Sequence, residues 1–335
     1  MVGGAGGVAS SGLRAELASN ADAVNLKLQQ VGEEISSGLV STTYAGLGGG
    51  ALTSLNLRPQ IAHNDALASG ITAATAQMGV TQNAMTQIGA LAQGVFATLS
   101  ANPGDGVGAI GIDAIATEAR EAFNNVAALL NTKDGDSYIF SGQDSANPPV
   151  GSTAGFVAGV TSAVQALGTG GTSLQATEAA SLGASTATVF SAATGQNTPQ
   201  SVETGQGAPV AYGVSAGASY MRQLMQSLAS IGALTGAQTK SAGYSGFVQD
   251  TLKQLGSASA SLVAEQGTLG ERQTALTATQ TAFTSTKISL TTQLSSVEDA
   301  DVVSLATTQS LLQTQLQTSY KLIANMQSLS LVSYL

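Results

Sequence analysis

The chain carries one histidine, His63, in "LRPQIAHNDALASG", and no cysteine. A Ser-His-Asp triad needs an imidazole between nucleophile and carboxylate, and a zinc centre needs several imidazole or thiolate ligands. One imidazole and no thiol leave those chemistries almost no material, so His63 reads as a solvent-facing or packing residue. The pair Asp134 and Asp136 in "KDGDSY" suggests calcium. A calcium loop needs further carboxylates at fixed spacing and a closing bidentate Glu. Ser137, Phe140 and Gly142 do not supply them, and the stretch reads as a turn. The glycine clusters at 3–7, 46–50 and 168–171 neither follow a strand nor precede Lys-Ser/Thr, so they are not phosphate cradles. Glu33–Glu34 and Glu298/Asp299/Asp301 read as solvated or dipole-facing acids near helix ends. No catalytic residue, cofactor site or metal ligand is assigned, and the expected class is a structural protein rather than an enzyme.

Composition narrows the partners. Charged residues make up 9% of the 335, against about 25% in an ordinary globular domain. The net charge is -9, with 11 Lys and Arg in no cluster, which argues against nucleic acid because phosphate binding needs a basic surface. Aromatics are 4% and Trp is absent, so an aromatic-lined pocket for a small-molecule substrate is not expected. The opening "MVGGAGGVASSG" has neither a basic n-region nor a sustained apolar h-region, and no stretch holds about 18 apolar residues. The expectation is no membrane span and, if the protein is secreted, no cleaved leader. A surface of Ser, Thr, Gln, Asn and Gly repels itself weakly and offers little resistance to side-by-side assembly.

Helical periodicity dominates both ends. Leu13, Leu17, Ala21, Val24, Leu28, Val31 and Ile35 form a stripe in steps of three and four, broken by Gly38, Gly46 and Gly48–Gly50. A second stripe runs Ile71, Ala74, Met78, Thr81, Met85, Ile88, Ala92, Val95, Leu99, and a third begins Ile112, Ile115, Ala119, Phe123, Val126, Leu130. Near the other end, Leu255, Leu262, Leu269, Leu276, Phe283, Leu290 and Val297 recur every seven residues, a seam that keeps one face on a partner. The companion seam, Ser259, Gln266, Gln273 and Gln280, is too polar for a self-sufficient two-stranded zipper, so other helices must cover it. Ser295 and Glu298 resemble a capping box restarting a last helix, with Asp299 and Asp301 at its positive end. That helix carries Val302, Leu305, Leu312, Leu316, Ile323 and Met326 on one stripe, and the chain closes in "SLSLVSYL".

Between about 137 and 245, Gly, Ser, Thr and Ala dominate. "ATVFSA" and "PVAYGVSA" are short strand signals between turns, and "SYMRQLMQSLASIGAL" (219–234) reads as a helix. A disordered linker is the alternative, disfavoured by the apolar content and low charge. The expected fold is mainly α: an elongated antiparallel bundle or coiled coil from both chain ends, with a central Gly/Ser/Thr-rich α+β insert. The expected division is 1–136 (N-terminal helical segment), 137–245 (insert) and 246–335 (long helix and terminal helix).

Four segments carry a resemblance. "VGEEISSGLVSTTYAG" (31–46) resembles the "QLSSG" helix end of flagellins and their junction relatives. "LLNTKDGDSYIFSGQDSANPPV" (129–150) is similar to a segment of the hook–filament junction proteins reading roughly "N…DG-x-YLFAG…TPPF". "APVAYGVSAGASYMRQLMQSLASIGAL" (208–234) is similar to the return of that family's insert to helix, and 295–335 resembles its C-terminal helix. The "DGDSYIFSG" segment followed by "PP", and an ending of Ser-Leu-x-x-Tyr-Leu rather than "LLR", favour the junction branch of the flagellin superfamily over filament flagellin.

The resemblance implies a structural flagellar subunit linking a hook-associated ring to flagellin. It further implies self-assembly into a ring, unfolded export through the flagellar type III apparatus to the cell exterior, and a cytoplasmic chaperone on the C-terminal helix. The assembly contacts expected are Leu17, Val24, Leu28, Val31 and Ile35 at one end. At the other they are Val302, Leu305, Leu312, Leu316, Ile323, Met326, Leu329 and Leu335. The alternatives are a filament-forming flagellin and, in another class, a secreted helical scaffold or enzyme.

Overall fold

The computed structural model describes residues 5–101, 109–169, 190, 198–205, 207, 209–241 and 243–332. Its helices are α1 (Ala5–Ser37), α2 (Ala51–Ser100), α3 (Ala109–Leu130), α4 (Ala154–Gln165), α5 (Ser219–Gly232), α6 (Tyr244–Glu298) and α7 (Val302–Val332). The strands β1 (Lys133–Asp134) with β2 (Ser137–Tyr138), and β3 (Ser201–Val202) with β4 (Val210–Ala211), form two antiparallel pairs. The protein is mainly α, as the periodicity indicates. It divides into two compact units, one of Met1–Asp65 with Thr284–Leu335 and the other of Ala66–Phe283.

In the Ala66–Phe283 unit the sequence stripes become a continuous core. All nine stripe residues of α2 from Ile71 to Leu99 are buried, as are Ile112, Ile115, Ala119, Phe123, Val126 and Leu130 of α3. The heptad seam of α6 joins them through Leu255, Leu262, Leu269 and Leu276, each at most 1% exposed. Burying a Leu of this kind fully contributes about 1.5–3 kcal/mol.

The described residues of the middle of the chain contribute to that same core. Phe123 of α3 stacks on Phe156 of α4, with ring centroids 5.9 Å apart. Met221, Leu224, Leu228 and Ile231 of α5 are buried where it lies on α3. The "KDGDSY" stretch is the β1–β2 hairpin, turned at Gly135, whose φ of 59° suits glycine. Of the two short strand signals, "PVAYGVSA" contains β4. "ATVFSA" lies outside the described residues except Phe190, which bridges to Val150.

The other unit is built differently. α1 packs along α7, and the buried apolar cluster between them is Val24, Val31 and Leu312, flanked by half-buried Leu28, Ile35, Leu305 and Leu316. Asn25 Nδ2 donates to Tyr320 Oη at 3.2 Å across the same pair. α1 ends at a left-handed glycine: Gly38 has φ of 70° and its N–H donates to the Glu34 carbonyl at 2.9 Å.

α2 begins at Ala51, directly after the Gly48–Gly50 break and some five turns before the apolar stripe at Ile71. One local expectation changes. Ser295 and Glu298 do not open the last helix. The Ser295 carbonyl accepts the Asp299 N–H at 2.9 Å, so both residues finish α6. The cap of α7 is Asp301, whose Oδ1 accepts the N–H groups of Val303 and Ser304 at 3.1 Å each.

Candidate assembly surface

The expected contact residues do not form one patch. Val24, Leu28, Val31 and Ile35 of α1 meet Leu305, Leu312 and Leu316 of α7 inside the chain. Leu17 and Ile323 are half-exposed, and Val302 is exposed. The side chains of Met326 and Leu329, and all of Leu335, lie outside the described residues.

What this unit offers outward is a set of residues that stripe counting passed over. Leu26 is 68% exposed, Val303 80%, Leu311 67% and Leu322 48%. Leu311 and Leu322 are eleven residues apart, about three helical turns, and so lie along one line on α7, roughly a quarter-turn from the Leu312 face. Plotting α7 on a wheel would have found that second line. The 3/4 count followed only the stronger stripe. Two helices side by side cover one stripe each and leave their flanks wet, whereas a heptad core closes on all sides only with more partners.

Where α1 leads into α2 and α6 into α7, the two connections are tied together. Val40 N–H donates to the Glu298 carbonyl at 2.8 Å and Ala300 N–H to the Gly38 carbonyl at 2.9 Å, a bridge centred on Leu39 and Asp299. Arg58 of α2 sets a two-pronged guanidinium on the Glu298 carboxylate, Nε to Oε1 at 2.9 Å and Nη2 to Oε2 at 2.7 Å. The buried Ser54 hydroxyl donates to the same Oε1. The Glu298 carboxyl is held below the ordinary carboxylate range, chiefly by the Arg58 hydrogen bond, and Arg58 is raised by the same partner. Sequence reading placed Glu298 in a solvated acid cluster. Its partners lie 240 and 244 positions away, beyond the reach of any local pattern.

In the other unit, the stretch resembling the junction segment is closed by one side chain. Asn131 Nδ2 donates to the Val150 carbonyl at 2.9 Å and Asn131 Oδ1 accepts the Val150 N–H at 3.0 Å. The hairpin, "IFSG" and the "PPV" end are thus held as one loop between two residues, which gives the Asn a physical role in the motif.

Chemistry has little foothold. His63 is exposed on α2. Among the described residues, no group of three His, Asp or Glu is placed to hold a metal, and no helix is long and apolar enough to cross a membrane. An open groove of about 730 Å³ between α2 and α3 is floored by Leu91, Gly94, Val95 and Ala122, with Glu118 and Glu121 among its lining residues. It contains no nucleophile paired with a base.

Comparison with known proteins places both ends of the chain in one family. Residues 8–145 match the bacterial flagellin N-terminal helical region, and residues 252–335 match the bacterial flagellin C-terminal helical region. A protein of Vibrio parahaemolyticus described as a candidate flagellar hook-associated protein superposes with a TM-score of 0.54 at 11% identity, over 73% of this chain and 96% of that one. Bacillus cereus FlgL superposes with a TM-score of 0.50 at 12% identity, over 72% of this chain and 99% of that one. At such identities these two likenesses bear on fold alone. No protein of curated function matches the sequence. The two matched regions leave out only 1–7 and the middle of the chain, and together they make this protein a member of the bacterial flagellin family, a structural component of the flagellum.

Proposed function

We propose that the protein is a hook–filament junction subunit, which joins a hook-associated ring to the first layer of flagellin outside the cell. The observation that carries this reading is the 129–150 segment. Its sequence resembles the junction branch, and its ends are clasped by the Asn131–Val150 pair of hydrogen bonds. The names of the two similar structures, a hook-associated protein and FlgL, point the same way.

On this reading the subunit assembles into a ring through its terminal helices and meets a neighbouring hook-associated protein on one side and flagellin on the other. The contact residues are those of the two terminal stripes. Seven of them pair within the chain, so among the described side chains Leu17, Val302 and Ile323 are left for neighbours, with the off-stripe Leu26, Val303, Leu311 and Leu322 beside them, and Met326, Leu329 and Leu335 complete the set. Export is through the flagellar type III apparatus, after a cytoplasmic chaperone has held the C-terminal helix. A thinly covered α1–α7 pair suits the chaperone step, because little packing must be undone to free the C-terminal helix.

Immunogold labelling of intact flagella tests the assignment. Label confined to the boundary between hook and filament is expected. Label along the whole filament would replace it with the filament-flagellin reading.

A further inference from the structure

The Ser54–Arg58–Glu298 cluster is charged, yet it sits where no catalysis and no ligand call for it. Glu298 keeps only 9% of its side-chain surface, whereas Arg58 stays 53% exposed. A carboxylate loses solvation on burial and stays ionised only where charge-assisted hydrogen bonds replace the water. Arg58 and Ser54 supply three of these, and all three come from α2. Through its backbone the same Glu298 accepts Val40 N–H from the α1–α2 connection, and two residues on Ala300 N–H reaches back to the Gly38 carbonyl. Asp301 then caps α7. One residue therefore touches both connections at once, and α7 starts four residues beyond it.

The α1–α7 pair has few means of fixing its own register. Among the described residues its buried apolar cluster is Val24, Val31 and Leu312, along helices of 33 and 31 residues. Apolar contact of that kind is non-directional and tolerates sliding, while a bidentate guanidinium–carboxylate pair has one geometry.

We propose that Glu298, held by Arg58 and Ser54, is a positioning residue for assembly: it latches the two interhelical connections and so sets where the α1–α7 pair stands relative to the start of α2. The consequence for assembly rests on the flagellar reading above, and the latch itself does not. A subunit with the latch intact presents Leu26, Leu311 and Leu322 in one arrangement, and a subunit without it presents them in many.

The chain's lack of cysteine makes the test clean. Gln60→Cys on α2 and Gln313→Cys on α7, both exposed and in the same unit, carry spin labels whose separation is read by pulsed electron resonance. The otherwise unaltered chain is expected to show one narrow distance peak. Arg58→Ala and Glu298→Ala are each expected to lose that peak to the same extent, with the double variant no worse and helix content by circular dichroism unchanged. Arg58→Lys keeps the charge without the fork and should recover part of the peak.

Because Arg58 is half-exposed, a role in packing alone would leave Arg58→Ala silent. A narrow peak in that variant overturns the proposal, and so does a loss of helix content that Arg58→Lys fails to repair. Incorporation of Arg58→Ala subunits into flagella is then scored. Normal incorporation despite a lost peak refutes the assembly role. Filament-wide labelling of the unaltered protein instead refutes the junction reading and leaves the latch standing.

Discussion

The heptad seam of α6 crosses from one unit into the other, and its fate differs on the two sides. Leu255, Leu262, Leu269 and Leu276 are sealed in the Ala66–Phe283 core and Phe283, at its boundary, packs half-buried against it, whereas Leu290 and Val297, the next two of the repeat, are half-exposed in the other unit. The pattern is the same, and what changes is the number of helices around it. α2, α3 and α5 add their own apolar faces to the first core. Among the described residues, the buried cluster of the other unit is drawn from α1 and α7. A seven-residue repeat is thus a demand for partners, and the fold meets it in one unit and leaves it partly unmet in the other. In a family of flagellar structural proteins, an unmet demand at the chain ends is where a neighbouring subunit can contribute.

The sharpest break of that comparison is removal of residues 302–335. α1 then loses the helix it packs on, and about half of its amides should exchange as in an isolated helix, since such helices are marginal in water. The core from α2 to α6 should retain its protection. Hydrogen exchange followed by mass spectrometry reads both, and a protected α1 in the truncated chain would show that it holds without α7. The truncated subunit is also expected to be made and to remain unassembled.

Single substitutions grade the same contrast. Leu269→Ala, at a fully buried seam position, is expected to cost about 2–5 kcal/mol in denaturant unfolding. Leu312→Ala is expected to leave the main unfolding transition in place and to raise exchange in α1 and α7 only. If both substitutions shift one shared transition equally, the two units melt together and the contrast in packing has no counterpart in stability.

The smallest effect expected is one of pH. The Glu298 carboxyl is lowered in the folded chain, principally by the Arg58 hydrogen bond. Its contribution is therefore complete above the ordinary carboxylate range and is lost as pH falls through that range to the folded value. Exchange of the Val40 amide, corrected for its intrinsic pH dependence, should become faster on acidification, and Glu298→Gln should flatten that response. An identical pH response in the glutamine variant would assign it to other acids.

Much of this was legible along the chain. The stripes beginning at Ile71 and Ile112 and the Leu255–Leu276 seam are each local, repeating facts, and each became a buried face. Gly38 as a helix stop and "KDGDSY" as a turn were legible for the same reason, since backbone conformation at a glycine is decided within a few residues. The membership of Ser295 and Glu298 was not. A Ser three positions before a Glu is the same string whether it opens a helix or closes one, and the continuity of α6 through Glu298 settled it.

The sequence by itself determined that this protein is helical at both ends, poor in groups able to do chemistry, and patterned for more helix–helix contact than one pair can satisfy. Only the tertiary structure decided that the two terminal stripes face each other, that Leu26, Leu311 and Leu322 are among the apolar residues left exposed, and that Glu298 answers to Ser54 and Arg58. The reason is range. Periodicity is written within a turn or two of helix, while a partner some 240 residues away is chosen by the fold that brings it near.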